Sequence, residues 1–137
     1  FLFYCVGNKT NIRKSVKKFT KNYIYSSIME AIVRKSTRKD KKYMITLIDS
    51  KSSKKIKTIH IGQAGASDYT KHKDPERKEN YIARHSVNQD HTKSGVKTSG
   101  YWSRYLTWNK PTLEASARDI ERRLRSEGLN IKVKLDL

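Results

Sequence analysis

Four histidines, His60, His72, His85 and His91, are the residues of this sequence best suited to metal or acid–base chemistry. His85, Asn88 and His91 recur at intervals of three and straddle the expected end of a helix and the loop behind it. A hydrolytic metal centre there would need carboxylate partners at ligand spacing, and none stands beside them, so no metal site is expected. A histidine at a helix C-terminus has a plainer use, complementing the negative end of the dipole. Gly62-Gln63-Ala64-Gly65 follows an expected strand, as phosphate loops do. No Gly-Lys-Ser/Thr opens a helix after it, so it reads as a turn. Ser67 lies beside Asp68 without the sharp strand-to-helix turn that exposes a nucleophile. Cys5 is far in sequence from any base. No catalytic residue, cofactor or metal is therefore assigned, and the expectation is that the protein is not an enzyme.

The residues suited to binding are more numerous. Trp102 and Arg104 belong to the aromatic block Tyr101-Trp102-Ser103-Arg104-Tyr105-Leu106-Thr107-Trp108. Tryptophan and arginine concentrate binding energy at interfaces, and tryptophan also stacks on bases. Trp102, Trp108 and Arg104 are candidates to stack on bases or anchor a protein partner; burial statistics favour the core for Leu106 and Trp108, which leaves Trp102 and Arg104 as the anchors. In a regular helix Tyr101, Tyr105 and Trp108 would share one face.

Charge points the same way. Lys and Arg number 31 against 13 Asp and Glu, a net of +18 over 137 residues. Such self-repulsion is relieved by a polyanion or an acidic surface, which a nucleic acid, a membrane leaflet or an acidic protein would supply. The excess is uneven, with residues 1–62 carrying +13 of it. A basic arm over residues 1–28 on a body over 29–137 is the expected organisation. Lys14, Lys17, Lys18 and Lys21 of the arm, with Arg34, Lys35, Arg38, Lys39, Lys41 and Lys42 of the body, are the candidate contacts to phosphates or to a protein partner.

The elements that must position these groups follow from periodicity. Ile12, Val16, Phe19, Tyr23 and Ile24, with basic residues between, predict an amphipathic helix over 12–28. Residues 29–62 read as β structure. Ala31-Ile32-Val33 is a short apolar run, and 42–48 and 56–61 are strands joined by the polar turn Lys51-Ser52-Ser53-Lys54. Asp74-Pro75-Glu76 is a helix start, with Asp as N-cap and Pro at the first helical position. Leu113, Ala117, Ile120 and Leu124 form a helical stripe after Thr112, and Gly128 supplies its C-terminal cap. Ile131, Val133 and Leu135 alternate with polar residues, which predicts a half-buried strand. The fold class expected is α+β. A small antiparallel sheet, hairpin plus C-terminal strand, would carry two or three helices on one face and a basic N-terminal arm.

A single cysteine excludes an internal disulfide and suits a reducing compartment or an assembly that needs no covalent staple. No run of 18 apolar residues occurs, so no membrane-spanning helix is expected. The opening Phe1-Leu2-Phe3-Tyr4-Cys5-Val6 leaves two readings open, the tail of a processed apolar segment or an extension upstream of a start at Met29.

The words Gly62-Gln63-Ala64-Gly65-Ala66-Ser67-Asp68-Tyr69-Thr70-Lys71-His72-Lys73-Asp74-Pro75-Glu76-Arg77-Lys78, Asn80-Tyr81-Ile82-Ala83-Arg84-His85, Gly100-Tyr101-Trp102-Ser103-Arg104 and Trp108-Asn109-Lys110-Pro111-Thr112-Leu113-Glu114-Ala115-Ser116 carry a resemblance. The chain resembles an uncharacterised family of small basic proteins of nucleocytoplasmic large DNA viruses, algal and amoebal ones included. That family brings no established catalytic residues. The resemblance implies a virion or an infected host cell as the setting. It leads to the expectation of a minor capsid protein on the inner side of the shell, tethered by its arm within a hetero-oligomeric assembly of viral capsid proteins. The alternative is a DNA-packaging or nucleic-acid-binding protein using the basic N-terminal half. Attachment to a membrane surface is a third possibility for the same charge.

Overall fold

A computed structural model describes residues 28–137. The expected amphipathic helix, except for Ile28, and the arm lysines Lys14, Lys17, Lys18 and Lys21 lie outside the described residues. The body is α+β, as its alternating and helical patterns require. Strands β1 (Ile28–Lys35), β2 (Lys41–Asp49) and β3 (Lys55–Gln63) come first. Helices α1 (Tyr69–His72), α2 (Pro75–His85), α3 (Ser99–Trp102) and α4 (Leu113–Ser126) follow, and β4 (Asn130–Leu135) closes the chain.

The four strands form one sheet in the order β3-β2-β1-β4. β1 pairs antiparallel with β2, and β2 antiparallel with β3. β4 runs parallel to β1. The sheet is thus mixed rather than antiparallel, and the expected hairpin is a three-stranded meander that begins with the apolar run around Ile32. Alternation sends one set of side chains to the helices. Across that face Val133, Ala31 and Leu47 align in one row, and Leu135, Val33, Ile45 and Ile59 in the next. Trp102, Leu106, Ala117, Ile120 and Leu124 cover them and are fully buried. At roughly 25 cal/mol per Å² of apolar surface removed from water, this layer is the main source of the fold's stability.

Each helix starts where the sequence supplies a cap. Asp74 accepts from the Glu76 and Arg77 amides at the start of α2, and Thr112 from the Ala115 amide at the start of α4. Gly128, with φ of 87°, ends α4, and the Leu129 amide returns to the Leu124 carbonyl at 2.8 Å. That turn feeds the chain into β4. Side chains of α4 then occupy the outer edge of β4. Glu121 accepts from the Val133 amide at 2.9 Å, and Arg118 donates to the Val133 carbonyl at 2.7 Å. A strand edge left open would template pairing with another chain, and these two side chains block it at its midpoint.

Between α3 and α4 the chain widens into a π turn over Ser103–Thr107, closed by the Trp108 amide on the Ser103 carbonyl at 3.1 Å. The extra residue per turn takes Trp108 off the face that Tyr101 and Tyr105 share. The segment that follows is pinned to α4. Asn109 donates to Asp119 at 2.7 Å, Arg123 donates to it at 2.6 Å, and Arg122 pairs with its other oxygen. The Lys110 amide donates to the buried Ser116 hydroxyl at 3.1 Å.

Asp119 is 3% exposed. Burial pushes its carboxyl up, but the hydrogen bonds from Arg123, Asn109 and Arg122 outweigh it and hold the group at about 2 against an ordinary 3.8. A carboxylate depressed on folding contributes stability above its unfolded pKa and loses it as pH falls through the folded one. The contribution expected is about 2 kcal/mol at neutral pH, vanishing between roughly pH 4 and pH 2. Urea unfolding of the wild type and of Asp119→Asn across that window measures it. The stability gap between the two is predicted to close on acidification.

Candidate functional site

At one end of the sheet β2 begins, β3 ends and the β1–β2 turn lies between them. The pairing of Lys41 with Gln63 and of Lys35 with Tyr43 fixes this arrangement. A cleft of about 480 Å³ opens there, between the sheet end, α2 and the π turn. Its size suits a small organic group rather than a flat protein surface.

The chemistry of the cleft is set by one buried ion pair and by what that pair leaves over. Asp68 is 2% exposed. One of its oxygens accepts from the Thr70 amide at 3.0 Å, capping α1. The other takes the Lys42 ammonium at 2.9 Å. Gly62 makes room for this, because a Cβ there would lie 3.2 Å from the Lys42 side chain, and its φ of 74° disfavours one in any case. Among the described residues Asp68 is the sole carboxylate lining the cleft, and it is already used. Lys41, Arg77 and Arg84 also line it, and none of the three has an acidic partner among the described residues. His60 and His85 add two imidazoles, and Gln63, Ser67, Ser99 and Ser103 add polar groups. The result is a concave site with an uncompensated positive charge and many hydrogen-bonding side chains.

Aromatic rings build its far wall. Tyr81 stacks on Trp108 at 4.2 Å and 3°, and on its other face carries His85 at 4.0 Å and 25°. His72 leans on Trp108 at 5.3 Å. The His72 Nδ1 accepts from the Asp74 amide at 3.0 Å, which puts the ring proton on Nε2, buried and without a hydrogen-bond partner among the described residues. His85 Nδ1 donates to the Tyr81 carbonyl at 2.9 Å, so its other nitrogen is left for the cleft. Burial raises the Tyr81 phenol above its ordinary value, against the opposing hydrogen bond of Ser103 and the charges of Arg84 and Arg104. Tyr81 therefore stays neutral at physiological pH and adds no negative charge to the site.

The residues singled out in the sequence divide into three groups. Lys41 lines the cleft as a free cation, and Lys42 lines it as the partner of Asp68. Lys35 and Lys39 are exposed at the same end of the sheet, outside the lining of the cleft, and have no acidic partner among the described residues. Arg34 pairs with Asp136 and Arg38 with Asp40, both at 2.8 Å and exposed, where such pairs contribute little. Trp102 is a correction. It is fully buried, with its indole N–H on the Val96 carbonyl at 2.7 Å, so it belongs to the core and presents nothing to a partner. Arg104 donates to the Trp108 carbonyl at 2.9 Å and covers the Tyr105 ring, which makes it a brace for Trp108.

Sequence reasoning missed Arg77, Tyr81, Arg84 and Trp108. The first three had a readable signal. With α2 starting at Pro75, positions 77, 81, 84 and 85 fall at i, i+4, i+7 and i+8 on one helix face. Among the described residues no group of three or more His, Cys, Asp or Glu could hold a metal.

The Lys42–Asp68 pair makes a direct test of this architecture. Removing one member of a buried pair strands the other charge, at a cost of about 3 kcal/mol or more. Asp68→Asn is expected to lower the unfolding free energy by that much, and adding Lys42→Met should recover part of it. Urea titrations that found the single variant as stable as wild type would show that the pair does not hold the site together.

Residues 31–85 match the model of a family described as a family of unknown function (DUF5754). The match runs from β1 through α2 and takes in the sheet and α2 walls of the cleft, while the π turn and Trp108 lie beyond it. No curated protein and no solved structure matches the chain.

Proposed function

We propose that this protein binds nucleic acid through the cleft end of its sheet. The observation that carries the reading is the coincidence of unpaired cations with a polar, aromatic-walled cavity of nucleotide size. Lys41, Arg77 and Arg84 line the cavity, the exposed Lys35 and Lys39 lie at the same end of the sheet, and among the described residues the one carboxylate of the lining, Asp68, is paired with Lys42. Phosphates neutralise such a set and release condensed counterions, and that release drives much of the affinity of basic proteins for nucleic acid. Amide and hydroxyl side chains beside the cations supply partners for sugar and base. The described residues alone carry 25 Lys and Arg against 13 Asp and Glu, so the body is basic without its arm.

A place in a virion shell rests on the resemblance of the sequence. The arm expected to tether it lies outside the described residues, and Trp102, one of its expected anchors, lies in the core.

Fluorescence anisotropy of a labelled oligonucleotide with the full chain tests the proposal. Neutralising about five phosphates predicts an affinity loss of several hundredfold between about 50 and 200 mM salt. Location is tested by charge reversal. Lys35→Glu with Lys39→Glu, at the cleft end, is expected to weaken binding about tenfold more than Lys54→Glu with Lys55→Glu at the far end, an equal change in net charge. No binding at low salt would dispose of the function, and equal losses from both ends would remove it from the cleft.

A further inference from the structure

The cleft is not the only hollow at this end. A second one, of about 230 Å³, is lined by Arg77, Asn80, Tyr81, Arg84 and Trp108. Arg77, Tyr81, Arg84 and Trp108 line both hollows. Both hollows thus border the stacked Tyr81–Trp108 pair, and the same two arginines line both. Arg77 and Arg84 are two turns apart on α2, about 10 Å along its axis.

A ring pair that borders two neighbouring small hollows, with two cations shared between them, selects a particular ligand shape. A rigid duplex keeps its bases stacked and paired, so it has nothing to place in either hollow. An extended single strand does. Its backbone can run along Arg77 and Arg84 while unpaired bases enter the adjoining hollows. Both faces of Tyr81 are taken, by Trp108 and by His85. His85 ends that ladder and lines the larger hollow, which brings its ring within reach of a base seated there. The larger hollow also holds the amide side chains Gln63 and Gln89, suited to base edges. Gln89 is fixed there, accepting from His91 at 2.9 Å, and a Cβ on Gly100 would lie 2.8 Å from its amide carbon.

We infer that the two hollows form one path for single-stranded nucleic acid, with a base seated in the larger one and the backbone drawn along Arg77 and Arg84. This inference rests on the nucleic-acid reading and narrows it to unpaired strands. Binding is competed by other single strands, and a base-paired copy of the same sequence is the weaker ligand.

The test is a set of anisotropy titrations on the full chain with labelled strands of about 12 nucleotides, DNA and RNA in parallel, each alone and annealed to its complement. The single strand of at least one of the two is expected to bind about tenfold tighter than its duplex at the same salt. Arg77→Gln with Arg84→Gln, both exposed and free of acidic partners among the described residues, should cost the single strand about tenfold and the duplex much less. Intrinsic fluorescence provides a readout that needs no loss of binding. Trp102 lies in the core, so the emission change on strand binding is expected to disappear in Trp108→Phe. Duplexes that bind as tightly as single strands, or an arginine pair whose loss leaves strand affinity intact, would overturn this inference while leaving nucleic-acid binding in place. A chain that binds no nucleic acid in any form would overturn the broader reading. Equal capture by a sulfated glycan would reduce both to charge alone.

Discussion

The Lys42–Asp68 ion pair is the interaction on which the rest of this site depends. It joins the first residues of β2 to the loop that leads into α1, and so fixes the helical layer against the sheet end. Burying two opposite charges is not in itself a large gain, since desolvation offsets most of the attraction. What the pair supplies is position. It spends the one carboxylate that the described residues bring to the cleft on a buried lysine, so that Lys41, Arg77 and Arg84 line the cavity with no acidic partner among those residues.

A second network does the same for the aromatic wall. Asp119 sits on α4 and gathers Asn109, Arg122 and Arg123, which clamps the chain just after Trp108. Arg104 holds the Trp108 carbonyl from the other side. Trp108 is thus presented to Tyr81 by contacts to its own backbone and to the residue after it, and its ring is left to line both hollows. The cost of such precision is a row of like charges. Burial and the nearby charges of Arg104, Lys110 and Arg123 lower the Lys78 pKa below its ordinary value, and Asp119 offsets only part of that effect. A polyanion would relieve the same strain from outside.

Much of the scaffold was legible in the residues. Asp74-Pro75 placed the start of α2, the stripe Leu113 to Leu124 placed α4, Gly128 ended it, and the alternation after Ile131 made β4. Alternation says that a segment is a strand and which side it buries, but not which strand it joins or in which direction. The parallel pairing of β4 with β1 therefore had no signal in the sequence. The two tryptophans exchanged the roles expected of them for a related reason. A regular helix would carry Trp108 on the face of Tyr101 and Tyr105. The π turn before it inserts a residue into that count and rotates Trp108 to the cleft, while Trp102 falls under the sheet. Charge was legible as a total and misleading in detail, because the partners of Lys42, Arg34 and Arg38 are set by folding. The helix face that carries Arg77, Tyr81 and Arg84 could have been read once the start of α2 was known.

Ligand entry at the cleft end of the sheet, rather than spread over a basic surface or the arm, is what the proposed function requires. Amide chemical shifts of the full chain, followed while a short single strand is added, test it most directly. The account predicts the largest shifts at Lys41, Gly62, Gln63, Arg77 and Arg84 and at the Trp108 indole N–H. Shifts confined to residues 1–27, or to the Lys51–Lys55 turn at the far end, would contradict it.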